Sequence, residues 1–319
     1  MTLLQVLKKF FVDDPIARTK KVYFWLYNFV VLRNPIFYLP YYYFWVLRPL
    51  RVGKDGRVGM NNLISGIVKG CVLRCEFCCS YSPYRRGFLS ADELLESYAQ
   101  WSKRIKPWYF FISGGEPLLH PELARILRES AAIWNNSNLW LTTNGLLLER
   151  IKPEVLQALK ESGYNLIVTE HTFDPEHRKK LDAGYARLKQ ENIPFVVRPS
   201  RLTWVAIYQK KGNECIPFDS DPKKAWYSCI GRNNTVLLGN KLFLCGHMAF
   251  TNAVSQEGVL DAEVWKKALE YQPLTLESTQ EEIVKHLRQR EIPQCSVCPE
   301  KCVIISARQM PRKKTETTE

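Results

Sequence analysis

The sequence predicts an α/β protein: a partial (β/α)6-type parallel barrel followed by a small C-terminal unit of β-hairpin and helix. Short apolar runs alternate with amphipathic stretches at the spacing of βα units between about residues 61 and 198, and that alternation builds parallel sheets. Gly-Gly and Asn-Gly turns stand where those runs end, as strand exits require. Beyond residue 219 the alternation stops, and one hairpin pattern with two helical stretches replaces it.

Each element has its own warrant. Residues 63–68 read as the first strand and lead into a cysteine-rich loop. Ser90-Ala91-Asp92-Glu93 is a capping box, opening a helix with Leu94, Leu95, Tyr98 and Trp101 on one face. Residues 108–112 form a second strand stopped by Gly114-Gly115, and Pro121 starts a helix through Leu123, Ile126, Leu127 and Ile133. A strand over 139–142 ends at Asn144-Gly145. Then come a helix at 153–162, a strand at 166–169, a helix at 175–192 and a strand at 195–198. Residues 205–208 offer a sixth strand, and five or six units suit a partial barrel better than a closed eightfold one. In the C-terminal unit, 235–238 and 241–244 flank the Gly239-Asn240 turn as a hairpin, and helices are expected at 262–271 and 280–289. The boundaries expected are an arm at 1–58, the barrel at 59–215, the C-terminal unit at 216–307 and a loose tail at 308–319; no internal repeat is present.

Composition narrows the function. At 46% hydrophobic and 24% charged, the chain has apolar material for a full core, which excludes a disordered or fibrous protein. The net charge of +13 is uneven: residues 1–58 hold ten Lys/Arg against three Asp/Glu. That asymmetry argues against nucleic acid as partner, because the excess sits in an aromatic arm and not in a groove. Within the arm, residues 22–50 are rich in aromatic and aliphatic side chains, but Arg33, Pro35, Pro40 and Arg48 interrupt them. No run reaches the roughly 20 apolar residues of a spanning helix. Two readings stand: a helical arm packed on the barrel, or an element lying on an anionic membrane surface with Lys20, Lys21, Arg33, Arg48 and Arg51 at the headgroups.

The ten cysteines come in groups: Cys71, Cys75, Cys78 and Cys79; Cys215, Cys229 and Cys245; Cys295, Cys298 and Cys302. Such short spacings suit a metal or cluster better than disulfides. Thiolate ligands persist in a reducing compartment, and no secretory signal is visible, so a cytoplasmic location is expected, at the inner face of the membrane if the arm lies on lipid. Cys71-x3-Cys75-x2-Cys78 offers three thiolates, which leaves one iron of a four-iron cube open; a zinc loop is the plain alternative.

Cys71-Val72-Leu73-Arg74-Cys75-Glu76-Phe77-Cys78, followed by Gly114-Gly115-Glu116-Pro117, resembles the radical S-adenosylmethionine enzyme superfamily over about residues 60–210. The resemblance implies that Cys71, Cys75 and Cys78 hold a [4Fe-4S] cluster whose fourth iron is chelated by S-adenosylmethionine. Gly114 and Gly115 would admit backbone to the methionyl amino group, Glu116 would stand near its charge, and Phe77 would pack near the adenine. Pro117 completes that motif. Asn144 would reach the ribose or methionine region, or is simply a turn residue. Reductive cleavage then yields a 5′-deoxyadenosyl radical, with an electron from a partner such as flavodoxin or ferredoxin.

The second cysteine group resembles the twitch-type subclass, which carries one auxiliary [4Fe-4S] cluster on a C-terminal hairpin and helix. The implied ligands are Cys229, Cys245, Cys295 and Cys298, with Cys302 as an alternative; five residues separate Gly239 from Cys245 where the subclass typically has four. Structural zinc is the alternative. Cys79, Cys215 and Cys302 are then spare, either small buried hydrophobes or, for Cys215 above all, a hydrogen-atom donor. His120, His171 and Glu170 follow strands and are either structural or catalytic. Arg198 is a candidate for an anionic substrate group or a cofactor carboxylate. The favoured function is hydrogen abstraction from a polar small-molecule or lipid-linked substrate of sugar or glycan type, ending in epimerisation or oxidation. The alternatives are a maturase of ribosomal peptides, whose leader-binding domain has no counterpart in the arm, and a non-catalytic iron–sulfur protein.

Overall fold

The computed structural model describes residues 49–305 except 172–173, 200–203, 213, 230, 233 and 302, together with Tyr43 and Leu47. Most of the basic arm, Cys302 and the tail therefore lie outside the described residues. Strands β1 (Val58–Val68), β2 (Ile105–Gly114), β3 (Asn138–Thr143), β4 (Asn165–Glu170) and β5 (Phe195–Pro199) alternate with helices α1 (Ala91–Ser102), α2 (Leu123–Ile133), α3 (Pro153–Ser162) and α4 (Pro175–Gln190). Neighbouring strands in this series pair in parallel. The local chemistry explains the helix starts: Ser90 Oγ accepts from Glu93 N, and Asp174 caps α4 by accepting from Glu176 and His177.

The rest of the chain comprises β6 (Trp204–Val205), β7 (Gln209–Lys211), β8 (Glu214–Ile216), α5 (Pro222–Ser228), β9 (Val236–Leu238), β10 (Lys241–Phe243), α6 (Gly246–Gln256), α7 (Lys266–Leu269), α8 (Gln280–Leu287) and β11 (Ile304–Ile305). The expected hairpin forms, with Lys241 opposite Leu238 across Gly239-Asn240. It is not confined to a separate unit. β9 pairs in parallel with β1 through Ile64 and Ser65, giving a seven-stranded sheet of order β10-β9-β1-β2-β3-β4-β5.

Two expectations are corrected. The sixth parallel strand is β9 and not residues 205–208, because β6 pairs antiparallel with β11 in a small sheet of its own. The helix expected at 262–271 shrinks to Lys266–Leu269, and the longer α6 appears where none was expected. His247, Met248, Ala249, Phe250, Thr251 and Val254 of α6 are all buried, polar side chains among them, and neither a capping side chain nor a charged end residue announces the helix in sequence.

One core layer joins the sheet (Leu63, Phe110, Ile112, Leu141, Leu166) to the helices (Tyr98, Trp101, Ile126, Leu127, Leu159). Each such fully buried side chain contributes about 2–3 kcal/mol. A second apolar layer gathers Tyr81, Tyr208, Phe243, Met248, Phe250 and Trp265 around α6. A Cβ on Gly66 would come within 3.2 Å of the Phe250 ring, so that glycine lets α6 lie close over β1.

Candidate active site

Parallel sheets gather their functional loops at the carboxyl ends of the strands. The loop after β1 holds Cys71, Cys75 and Cys78; β2 ends at Gly114 and its loop begins at Gly115; the turn after β3 holds Asn144. Gly115 N donates to Val68 O at 2.7 Å and Glu116 N to Gly70 O at 3.0 Å, stitching the first two loops together. A Cβ on Gly115 would stand 1.8 Å from Gly70 O, and Gly114 has φ +132°, so this seam requires both glycines.

Glu116 is fully buried. Its carboxylate accepts from Leu118 N at 3.1 Å, Thr143 Oγ1 at 2.7 Å and Asn144 N at 2.8 Å, which ties the second loop to the third. Burial raises its pKa and these three donors oppose the rise. Asn144, so fixed, accepts from Leu146 N through Oδ1 and turns Nδ2 to Cys71 Sγ at 3.4 Å. Pro117 opens the single helical turn at Pro117–Leu119.

The donor set fits a thiolate-held cluster. Burial, then the Glu116 carboxylate, pushes the Cys71 thiol above the ordinary range, and the Cys78 and Cys75 sulfurs push further, so the three are electrostatic neighbours. A cationic iron–sulfur centre reverses that penalty, because it binds the deprotonated form. Cys78 Sγ also lies 3.3 Å from Ser80 Oγ, which reaches the Gly114 carbonyl at 3.3 Å. Phe77 has φ +58° and packs against Tyr208 at 5.4 Å, with Lys210 Nζ 5.8 Å above its ring.

The second group is drawn from three separate elements. Cys229 ends α5, Cys245 caps α6, and Cys295 and Cys298 bound a short turn held by Phe218 and Ser220 backbone. Burial lifts Cys245 to about 12 and Cys295 to about 11, and raises Cys298 as well. Cys229 raises all three, and Cys245 and Cys295 raise Cys298, so these four sulfurs are electrostatic neighbours. Among the described residues no three His, Cys, Asp or Glu side chains converge closely enough for a single metal ion. A four-iron cube, being larger, spaces its thiolates more widely.

Other candidates fall where structure needs them. His120 donates from Nε2 to Leu89 O at 2.8 Å and accepts Glu122 N at Nδ1, so backbone occupies both nitrogens. Glu170 accepts from Arg178 at 2.7 Å and Tyr185 at 2.8 Å, fastening β4 to α4. His171 is pushed down to about 4 by burial. Arg198 sits half-buried near the carboxyl end of β5, opposite Thr169. Cys79 is exposed and Cys302 lies outside the described residues. Cys215 is half-buried on β8, with its thiol pushed up by burial and hydrogen-bonded by Tyr84 from the first cysteine loop. Two residues escaped the sequence: Tyr81 and His247, which bridge the two cysteine groups. No sequence signal singled out His247; it follows Cys245 by two positions within the unrecognised α6.

Residues 66–190 match the model of the Radical SAM superfamily. The chain carries a radical SAM domain. Within it lie the cysteine triad, the Gly114–Pro117 segment and Asn144, and the family implies a four-iron cluster and S-adenosylmethionine there. The chain is 34% identical over 118 residues to the GTP 3′,8-cyclase of Aquifex aeolicus and 36% identical over 108 residues to the probable GTP 3′,8-cyclase of Methanococcus aeolicus. These stretches are 35% and 32% of this chain; in both comparisons the chain spans only 35% of the relative's length. A crystal structure of BtrN in complex with AdoMet and 2-DOIA aligns over 75% of this chain and 92% of that one, at 16% identity and a TM-score of 0.43. Among the described residues no helix is long and apolar enough to cross a membrane.

Proposed function

We propose that the chain is a radical S-adenosylmethionine enzyme with two four-iron centres, one at Cys71, Cys75 and Cys78 and one at Cys229, Cys245, Cys295 and Cys298. When bound, the first centre with S-adenosylmethionine supplies a 5′-deoxyadenosyl radical by one-electron reduction. The observation that carries the reading is the Glu116–Thr143–Asn144 network, which delivers an amide N–H to the sulfur of Cys71. A hydrogen bond of that kind orients a cluster ligand and tunes its electron density. Reducing equivalents come from a flavodoxin- or ferredoxin-type partner.

The substrate class is a polar small molecule or lipid-linked sugar. The relatives named for GTP favour a nucleotide as the second reading, although the likeness is confined to about a third of each chain. Cys215 is the candidate hydrogen-atom donor for epimerisation; without a donor, oxidation is the outcome. Anaerobic reconstitution tests the core claim. The expected result is about eight irons per chain, with Cys71, Cys75 and Cys78 replaced together by Ala halving the iron and abolishing 5′-deoxyadenosine formation. Iron near about four with stoichiometric zinc refutes the second centre, and 5′-deoxyadenosine from the triple variant refutes the first. A panel of GTP, nucleotide sugars and lipid-linked glycans, run in deuterium oxide, separates the substrate readings and shows whether solvent hydrogen enters the product.

A further inference from the structure

His247 stands between the two cysteine groups, outside the network around Cys71. Its side chain is buried. Nδ1 lies 3.0 Å from Cys298 Sγ, and Nε2 lies 3.2 Å from the Tyr81 hydroxyl. That hydroxyl is also 3.3 Å from Thr251 Oγ1, one turn further along α6. Tyr81 is fully buried, stacked on Tyr208 at 5.0 Å, and its backbone N–H donates to the Cys78 carbonyl at 3.0 Å. It also holds φ +54°, a left-handed conformation that non-glycine residues seldom adopt. The backbone is strained where it aims this ring into the C-terminal layer.

The proton positions follow from counting donors. A neutral imidazole has one N–H. A sulfur bound to iron has no proton to give, so it accepts and Nδ1 donates. Nε2 is then an acceptor, which the Tyr81 hydroxyl fills, and the Thr251 hydroxyl donates to the Tyr81 oxygen. A single direction of donation satisfies every polar atom from Thr251 to Cys298, and the tautomer is thereby assigned.

We propose that His247 is a positioning residue for the C-terminal iron–sulfur centre, donating its Nδ1–H to the Cys298 sulfur and so raising that centre's reduction potential, with Tyr81 holding the ring in the required tautomer. The inference rests on the reading that Cys229, Cys245, Cys295 and Cys298 hold such a centre. Hydrogen bonds to cluster sulfurs stabilise the reduced, more negative state, which is why they raise the potential. Because Tyr81 follows Cys78 by three residues, the same chain of contacts joins the loop of one centre to a ligand of the other.

The test is an anaerobic redox titration of the reconstituted full chain, read by electron paramagnetic resonance, with iron and sulfide counted on every sample. In His247→Phe the iron content stays at the wild-type level and the C-terminal centre moves to a more negative potential, while the centre of Cys71, Cys75 and Cys78 does not move. Tyr81→Phe moves the same centre in the same direction by less. His247→Asn, whose amide N–H occupies the place of Nδ1–H, recovers part of the wild-type potential. An unchanged potential at full iron in His247→Phe overturns the inference and leaves the proposed function intact. A wild-type chain with zinc in place of the second iron centre overturns the reading beneath it instead. If His247→Phe loses the centre, Tyr81→Phe decides, and no shift there overturns the inference.

Discussion

Glu257→Gln is expected to loosen the first cysteine loop from the C-terminal layer and to destabilise the whole chain. The Glu257 carboxylate closes the end of α6 and takes both arms of Arg85, Nε to Oε2 and Nη2 to Oε1, each at 2.9 Å. Lys69 Nζ reaches Oε1 at 2.9 Å as well. Lys69 and Arg85 bracket the loop that carries Cys71, Cys75 and Cys78, so one carboxylate grips it at both ends. Arg85, through its hydrogen bonds, holds the Glu257 pKa at about 2 against an ordinary 4.5, with Lys69 contributing behind it. At about 1.4 kcal/mol per pH unit that difference is worth at most about 3.5 kcal/mol. The Glu257 side chain keeps 28% of its surface exposed, and solvent screening brings the expectation to about 2 kcal/mol. The Arg85 side chain is only 4% exposed and loses its charge partner in the variant, which keeps the cost from falling much lower. A depressed carboxylate stabilises the fold above its unfolded pKa and loses that contribution as pH falls through its folded value. The gap between wild type and variant is therefore full at neutral pH and closes between about 4.5 and about 2. Urea unfolding at a series of pH values measures it. A variant within about 0.5 kcal/mol of wild type at neutral pH, or a gap indifferent to acid, refutes the reasoning.

Three further outcomes are expected. Asn144→Ala removes the donor to Cys71 and the acceptor for Leu146 N; S-adenosylmethionine cleavage, followed as 5′-deoxyadenosine, falls about 10- to 100-fold, with the iron of the first centre more easily lost. Gly115→Ala places a Cβ against Gly70 backbone, and urea unfolding of any soluble product shows a loss of about 3 kcal/mol or more. Deleting residues 1–46, where six basic residues meet two acidic ones, lowers co-flotation with anionic vesicles, and salt weakens the binding of the intact chain; equal flotation of both forms rules out a membrane-facing arm.

The sequence made the barrel legible because its strands and helices carry distinct periodicities, and because Ser90 announces its helix by side-chain capping. The triad and Gly114–Pro117 were legible as chemistry through their likeness, in order and placement, to the radical S-adenosylmethionine superfamily; by themselves the cysteines also suited a zinc loop and Asn144 a plain turn. What stayed hidden has physical reasons. α6 begins at a cysteine with no capping side chain and has no charged residue in its end turns, so nothing local announces its start or stop. The pairing of β9 with β1 joins residues too distant in sequence for any local pattern to register. His247 acts only through a fold-made contact, and a histidine two positions beyond a cysteine is unremarkable until Cys298 is brought to it.

The β1–β9 pairing also orders events on the ribosome. Strands β1 to β5 and their helices can pair one after another as they emerge, each with a neighbour made shortly before. β1 is the exception on its other side: Ile64 waits for Val236. Until β9 arrives, β1 presents a row of unpaired backbone groups next to a loop of unligated thiols, which is the kind of edge that recruits another nascent chain. Assembly of the sheet edge and of the second cysteine group thus falls to the last part of synthesis, and a truncation anywhere before β9 is expected to yield an aggregating product instead of a free-standing barrel.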